Sequence, residues 1–353
     1  MKLFTVGPVE KFPSTMKVAG SKEPYFRNQE FSALMLDNEQ HLKRLLHADA
    51  TARVIFLTCS GSGALEASVL NAFDHHDRVL VINEGTFGQR FCDICQTLGV
   101  PYQAITIADL ATVDATGFTG LLVNMHETST GKLYPMPQIA QFCQKHGLKL
   151  VVDAISSFLA APIDFAAWGV DILIISSQKA LALSCGMAAC VLSARMQQKL
   201  KPVRSLYFNF ADYLKNMQRG QTPFTPAVNI MYELNDRIKQ LNLQDELDRV
   251  AHLAQTFRRL IKCQVPDYPL CNALTPIYVP HARQVYQTLK DQYGFEVTPC
   301  GGANADTMLR IGHIGNVSLA DTEKLARCIN ELVWRHYQQP NFVDYQIMLP
   351  PDS

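Results

Sequence analysis

The chain has 353 residues, of which 48% are hydrophobic, and this is enough to build two lobes around a sizeable core. Lysine plus arginine equals aspartate plus glutamate at 32 each, so the charge balance gives no reason to expect nucleic acid or an anionic membrane as a partner. Ten cysteines are scattered through apolar segments without a preceding charged-then-apolar leader, and we therefore expect reduced thiols in the cytoplasm.

The first two thirds of the chain alternate β-rich runs with helical patterns. The strands are predicted at 54–59, 78–83, 102–107, 120–125, 149–153, 171–176 and 187–192, with helices at 64–73, 87–98 and 137–146. Strands separated by helices of this length predict an α/β fold with a mostly parallel sheet, and their apolar character on both faces fits a sheet covered by helices. Ligands of such sheets bind at the carboxyl ends of the strands.

The pattern changes at about residue 227. Two long helices are predicted at 228–241 and 244–262, followed by strands at 274–279 and 296–299 and a helix at 319–337. This succession indicates a smaller α+β lobe. We expect a large domain at 16–235 and a small domain that combines 236–353 with 1–15, in which the tail 338–353 is loosely held.

Three polar features follow predicted strands. Lys179 comes after the apolar run Asp171–Ile175, where an amine is well placed to lose its proton and to form a Schiff base with a carbonyl. Asp153 ends the strand before it, although a strand-end aspartate alone is as often a turn cap. The segment Ser60-Gly61-Ser62-Gly63 lies between a strand and a helix, which suits a phosphate, whereas alone it would be a plain turn. In chain order, a phosphate cradle, a buried acid and a Schiff-base lysine describe a site for pyridoxal phosphate.

Further motifs lie near both ends of the chain, Thr5-Val6-Gly7-Pro8 and Leu309-Arg310-Ile311-Gly312. Together with the three strand-end features, they resemble the class V aminotransferases of the fold type I pyridoxal-phosphate superfamily. The nearest patterns are those of the alanine–glyoxylate, serine–pyruvate and 2-aminoethylphosphonate–pyruvate transaminases. The resemblance implies a large pyridoxal-phosphate-binding domain, a smaller C-terminal domain, a homodimer, and amino transfer from a small donor to a 2-oxo acid, without a metal.

The resemblance also implies roles for single residues. Lys179 would carry the cofactor aldehyde and then move a proton, and Asp153 would keep the pyridine nitrogen protonated. Ser60, Gly61, Ser62 and Gly63 would cradle the phosphate, which Gln178 would also reach. Thr225, in a proline-rich segment that is otherwise a rigid loop, would contact the phosphate of the neighbouring subunit.

The resemblance places two more residues on the cofactor and one on the substrate. Phe87 would stack on the cofactor ring, although a phenylalanine that starts a helix is more commonly a core residue. Thr128 would meet the phenolic oxygen of the cofactor, or else bond its own turn. Arg310 would clamp the substrate carboxylate with its planar fork. Arg27 is a candidate for a distal acidic group such as a phosphonate, and the donor stays open among alanine, serine and 2-aminoethylphosphonate.

Other functions account for fewer of these residues than amino transfer does. A cysteine desulfurase or related carbon–sulfur lyase would share the aspartate and the lysine, but these enzymes usually carry histidine before the lysine and over the ring, where this chain has Gln178 and Phe87. Such an enzyme also needs an exposed thiol on a mobile loop, and Cys300 is the candidate. A nucleotide-binding Rossmann protein that uses Ser60–Gly63 would leave Lys179, Asp153 and Arg310 unexplained. A third alternative is a non-catalytic cofactor-binding module, against which the complete set of catalytic-type residues argues.

Overall fold

A computed structural model describes residues 1–337 of the chain, with side chains described through Trp334, so the predicted loose tail 338–353 lies outside the described residues. The strands are, in chain order, β1 (Lys2–Phe4), β2 (Arg53–Leu57), β3 (Val79–Ile82), β4 (Tyr102–Ile105), β5 (Gly120–Asn124), β6 (His126–Glu127), β7 (Lys132–Leu133), β8 (Lys149–Asp153), β9 (Ile172–Ser176), β10 (Ala188–Leu192), β11 (Leu274–Tyr278), β12 (Phe295–Pro299) and β13 (Met308–Gly312). The helices are α1 (Pro13–Ala19), α2 (Gln29–Leu45), α3 (Gly61–Ala72), α4 (Thr86–Leu98), α5 (Met136–His146), α6 (Ala194–Gln198), α7 (Phe210–Met217), α8 (Val228–Lys239), α9 (Leu243–Leu260), α10 (Ala282–Tyr293) and α11 (Leu319–Tyr337).

Seven strands form the large sheet in the order β2-β10-β9-β8-β5-β3-β4. All neighbours from β9 to β4 are parallel, while β10 is antiparallel to both β9 and β2. The predicted mostly parallel sheet is therefore confirmed. Strand β10 runs the other way because the short connection 177–187 carries no crossover helix, which a parallel return would need.

The large sheet is buried on both faces. Every residue of β3, β5, β9 and β10 is buried, which explains why these strands read as continuous apolar runs rather than as alternating patterns. Helix α3 packs on β9 and β10, and α4 packs on β3, β4 and β5. Burial of each large aliphatic side chain stabilises the fold by about 1.5–3 kcal/mol. The strands therefore hold the segments that follow their carboxyl ends in fixed positions.

A second sheet has the order β1-β12-β13-β11 and a separate core that includes Phe257 and Leu309. Strand β1 is parallel to β12, and the other neighbours are antiparallel, so this part has the predicted α+β character. The pairing of β1 fits the assignment of the first residues to the small domain, whose boundaries stay a prediction. The predicted boundary at residue 235 falls inside α8, which packs on α1 and α2. In residues 1–337, no helix is long and apolar enough to cross a membrane.

Candidate active site

One edge of the large sheet collects the candidate residues. Strands β2, β3, β5, β8 and β9 all point the same way, so the segments that leave their carboxyl ends meet at this edge. The structure places there most of the residues predicted from the sequence: Ser60–Gly63 after β2, Phe87 after β3, Thr128 after β5, Asp153 at the end of β8, and Gln178 and Lys179 after β9.

Lys179 is covered by the N-terminal segment of the chain. Its Nζ donates to the carbonyl oxygen of Val6 at 2.6 Å. Gly7 has a φ of +124°, and a Cβ at this position would lie 2.6 Å from the Lys179 Cδ and 2.8 Å from its Nζ, so no other residue fits. Burial lowers the pKa of Lys179 from 10.5 to about 8, against the opposing attraction of the Asp153 carboxylate. The amine is therefore far closer to its neutral form than an exposed lysine.

Asp153 is 6% exposed and lies within electrostatic reach of Lys179. One carboxylate oxygen accepts from the backbone N–H of Ile155 at 2.8 Å. Burial raises the pKa of Asp153 to about 6, while the positive charges of Lys179 and Arg90 act in the opposite direction. A buried acid of this kind stabilises a cationic partner in the site, and a protonated pyridine nitrogen is such a partner.

The N-terminus of α3 opens onto the same edge. Ser60 caps the helix, but its Oγ accepts from the Gly63 N–H at a long 3.4 Å. Gly61 is buried, and a Cβ there would lie 2.5 Å from the Cδ1 of Ile155. The Oγ of Ser62 accepts from the Arg90 Nη1 at 2.7 Å. Because the first N–H groups of a helix are oriented toward anions, this glycine-containing turn fits a phosphate.

Phe87 and Thr128 also lie at this edge of the sheet. Phe87 is half-buried at the start of α4, and the guanidinium carbon of Arg90 lies 5.0 Å from its ring centre. Thr128 is 3% exposed, and its hydroxyl donates to the Ser156 Oγ at 2.9 Å rather than to its own turn. The expected aromatic and hydroxyl groups are therefore both at the edge, with Thr128 held by a residue three positions after Asp153.

Arg310 reaches the edge from the second sheet. Its Nη1 donates to the Thr128 carbonyl oxygen at 3.1 Å, and its Nη2 donates to the Pro299 carbonyl oxygen at 3.0 Å. Its buried Nε has no hydrogen-bond partner among the described residues. Carbonyl oxygens orient the guanidinium without neutralising it, so Arg310 can still attract a carboxylate. Cys300 lies half-buried beside Arg310. Burial raises the pKa of its thiol, and the positive charge of Arg310 offsets part of this increase.

Two further residues predicted to bind the cofactor phosphate, Gln178 and Thr225, are not fully buried. Thr225 is exposed, and Gln178 is half-buried at the edge itself. Arg27 donates to the Thr222 carbonyl oxygen at 2.8 Å and to Gln221 Oε1 at 3.1 Å, so it holds the segment that leads to Thr225. The structure thus ties Arg27 to this segment.

Several residues of the site were missed from the sequence. Arg90 lies in the same motif as Phe87, one helical turn further along α4, and Glu127 directly precedes Thr128 in the buried strand β6. Their nearness to predicted site residues was the available signal in both cases. Cys185, rather than Cys300, is the exposed thiol among the ten cysteines, and its negative form would attract Lys179. Within residues 1–337, no three His, Cys, Asp or Glu side chains come together as a potential metal site.

Solved structures with the same architecture include several aminotransferases and a cysteine desulfurase. An aspartate aminotransferase from Thermus thermophilus matches with a TM-score of 0.88 and 24% identity, over 95% of this chain and 99% of that one. An alanine–glyoxylate aminotransferase from Nostoc sp. matches with a TM-score of 0.86 and 23% identity, over 94% of both chains. At these identities the similarity concerns the fold, and it confirms the predicted fold type I architecture.

Curated relatives match along nearly the whole chain. The soluble hydrogenase 42 kDa subunit of Anabaena cylindrica is 28% identical over 94% of this chain and 92% of its own length. A 2-aminoethylphosphonate–pyruvate transaminase of Syntrophobacter fumaroxidans is 26% identical over 94% of this chain and 96% of its own. The family described as aminotransferase class V matches residues 6–274. With a lysine, an acid and an open helix N-terminus at one sheet edge, the chain belongs to the class V aminotransferases, whose cofactor is pyridoxal phosphate.

Proposed function

We propose that the protein moves an amino group from a small amino acid or aminophosphonate to a 2-oxo acid such as pyruvate or glyoxylate. The proposal rests on one observation: Lys179, Asp153 and the α3 N-terminus lie at the same edge of the large sheet. Arg310 of the second sheet contacts this edge through the Thr128 carbonyl oxygen. The protein is a pyridoxal-phosphate-dependent aminotransferase by family, and we propose that these residues bind the cofactor and the substrate and move the proton.

The cofactor, when bound, supplies an electron sink for the bonds around the substrate's amino carbon. Lys179 would bind the cofactor aldehyde and afterwards hold and deliver a proton at its Nζ. With a pKa of about 8, roughly a tenth of the free amine is neutral at pH 7, compared with well under a thousandth at the ordinary value. Asp153 would hold a proton on the pyridine nitrogen through a charge-assisted bond.

The remaining residues would orient and enclose the cofactor. The N–H groups of Gly61, Ser62 and Gly63 and the hydroxyl of Ser60 would bind its phosphate, which Gln178 would also contact. Phe87 would cover one face of the ring and exclude water, and Thr128 would meet the phenolic oxygen. Arg310 would bind the substrate carboxylate in two parallel bonds.

A second copy of the chain would complete the site through Thr225, as a homodimer. Thr225 is exposed, and so are two large hydrophobic side chains elsewhere on the surface, Tyr25 at 68% and Leu206 at 79%. Phe224 stacks on Tyr207 with ring centres 5.1 Å apart, so the segment is held rigidly for contact. If this proposal holds, cofactor affinity falls when the protein is diluted until it dissociates. A monomer that binds the cofactor with full affinity contradicts it.

The position of Arg27 supports a structural role in this contact. Its bonds to Gln221 and to the Thr222 and Pro223 carbonyl oxygens hold the segment that carries Thr225. We therefore place the recognition of the substrate carboxylate on Arg310 alone, with a donor such as alanine, serine or 2-aminoethylphosphonate.

A reducing compartment, the cytoplasm, is proposed because all ten cysteines, which lie within the described residues, are free thiols.

The test is a screen of single half-reactions. Alanine, serine, 2-aminoethylphosphonate and cysteine are each mixed with the cofactor-loaded protein, and the visible cofactor band is followed. Conversion by one of the first three amines, reversed by pyruvate or glyoxylate, is the expected result. The Lys179→Ala variant should not form a borohydride-reducible linkage with the cofactor. Release of sulfide from cysteine, without conversion by any other amine, would replace this proposal with the desulfurase, for which Cys185 offers an exposed thiol.

A further inference from the structure

Two helices begin at the active-site edge, but only one of them has an open N-terminus. Helix α4 starts after Gly85, which has no side chain to cap it. The carboxylate of Glu127 occupies this place instead, and its Oε2 accepts from the N–H groups of Phe87 and Gly88, both at 3.1 Å. The positive end of α4 is therefore already paired with a negative charge of the protein.

Glu127 is held from the other side as well. Its Oε2 also accepts from Asn124 Nδ2 at 2.9 Å, and its Oε1 accepts from the Ser129 N–H at 3.0 Å and from the Ser129 Oγ at 2.5 Å. The residue is completely buried. A Cβ at Gly85 would lie 2.5 Å from the Glu127 Cδ, so the loop before α4 is packed directly on the carboxylate. Five donors hold this charge at a single position.

We propose that Glu127 is a positioning residue that acts through Phe87. By binding the Phe87 N–H, it determines where the aromatic ring stands over the cofactor, and by filling the α4 N-terminus it leaves α3 as the binding position for the phosphate. The inference rests on the proposed function, since it needs Phe87 to stack on the cofactor. Neighbouring contacts agree: the Thr86 N–H donates to the Ser129 Oγ at 3.2 Å, and Arg90 links the Phe87 ring to Ser62.

A glutamine cannot take over this role, although it has the same shape. The Oε2 position of Glu127 faces three N–H groups and the Oε1 position faces the Ser129 N–H, which is part of the backbone and cannot turn away. In either orientation, the amide nitrogen of a glutamine would point at another donor. Glu127→Gln therefore removes the anchor with almost no change in volume.

The experiment is a double-mutant cycle of Glu127→Gln and Phe87→Leu. Pyridoxal phosphate is titrated into the cofactor-free proteins, the visible circular dichroism of the bound cofactor is recorded, and thermal unfolding of the cofactor-free proteins checks the fold. We expect Glu127→Gln to weaken cofactor binding by about tenfold and to change the dichroism when Phe87 is present, but to have little effect in the Phe87→Leu background, since coupled residues are not additive.

Each outcome decides a specific point. Equal effects of Glu127→Gln in both backgrounds, or no effect in either, overturn the inference while leaving the aminotransferase assignment to the Lys179→Ala test. If Phe87→Leu alone changes neither affinity nor dichroism, the stacking role of Phe87 fails and the inference fails with it. The matched control is Glu84→Gln in the same loop, whose carboxylate binds Lys132 Nζ at 2.7 Å and should show no coupling to Phe87.

A milder variant covers the case in which Glu127→Gln does not fold. Ser129→Ala removes only the hydroxyl that donates to Glu127 and accepts from the Thr86 N–H. It should weaken cofactor binding by a few-fold when Phe87 is present and not in the Phe87→Leu background. An equal effect in both backgrounds contradicts the inference in the same way.

Discussion

Replacement of Lys179 by methionine should make the cofactor-free protein more stable at neutral pH. Burial lowers the pKa of this amine from 10.5 to about 8, and at about 1.4 kcal/mol per pKa unit the charged form costs the native state about 3 kcal/mol. Methionine also loses the 2.6 Å bond to the Val6 carbonyl oxygen, which is worth about 1 kcal/mol. The expected net gain in unfolding free energy is about 2 kcal/mol, or about 3 °C in melting temperature for a chain of this size.

The gain should also depend on pH. Because the folded-state pKa lies below the unfolded value, the native protein binds fewer protons than the unfolded chain between pH 8 and 10.5. The stability of the wild type therefore rises through this window relative to the variant. The advantage of methionine is complete well below pH 8. At pH 9.5 the remaining charge penalty is about 1.4 kcal/mol, so the net advantage should fall to about 0.4 kcal/mol.

Thermal unfolding of both cofactor-free proteins at pH 7 and pH 9.5, at matched concentration, measures this difference. Lys145→Met is the control, since Lys145 is exposed on α5 and its replacement removes a lysine without relieving the burial of a charge. A Lys179→Met protein that is no more stable than the wild type at pH 7, or a difference that stays constant with pH, would refute the electrostatic argument.

Four further results are expected. The rate at which the cofactor-free protein captures pyridoxal phosphate should rise with pH about a midpoint near 8, and a midpoint near 10.5 would show that Lys179 is not desolvated. Gly7→Ala should weaken cofactor binding in a titration by about tenfold or more, because its Cβ would lie 2.6 Å from the Lys179 Cδ; an unchanged affinity contradicts that packing. Arg310→Lys should lower kcat/KM for every carboxylate-bearing substrate by the equivalent of about 1–3 kcal/mol, and an unchanged value would remove Arg310 from the site. Arg195→Ala leaves the carboxylate of Asp171, 1% exposed, without its cation and should lower the free energy of chemical unfolding by about 2–3 kcal/mol; the loss is moderate because the Arg195 side chain is 43% exposed. Cofactor affinity should not change because this ion pair lies at the ends of the strands opposite to the site.

The large sheet could be predicted because its signals are local. Each central strand is a short apolar run, and the predicted bounds of 149–153 agree with β8 residue for residue. Elements stabilised by distant partners left weaker traces. Strand β1 has three residues and pairs with β12 almost 300 positions away, and helix α10 buries only Ala282, Val285 and Leu289. The direction of β10 likewise depends on its two neighbours in the sheet and not on its own residues.

The same distinction holds for the site. Residues that end predicted strands, such as Asp153 and Lys179, were found because parallel strands bring their carboxyl ends together. The contact between Arg310 and the Thr128 carbonyl oxygen spans 182 positions and was not predicted; the resemblance to known enzymes indicated Arg310 only as a ligand of the substrate. The network around Glu127 was not predicted, since it joins the stretch 124–129 to the start of α4 about 40 positions earlier. The role of Thr225 stays a prediction.

The position of β10 in the large sheet determines when this sheet can form during synthesis of the chain. In the large sheet, β2 pairs with β10 alone, although β10 is made more than 130 residues later. The strand that presents Ser60–Gly63 therefore has no sheet neighbour until β10 has left the ribosome, and long-range pairing of this kind is slow. The phosphate loop and Lys179 come into register only at that stage. Cofactor capture by nascent chains of increasing length should begin only after residue 192 has emerged, which makes the cofactor a reporter of a finished sheet.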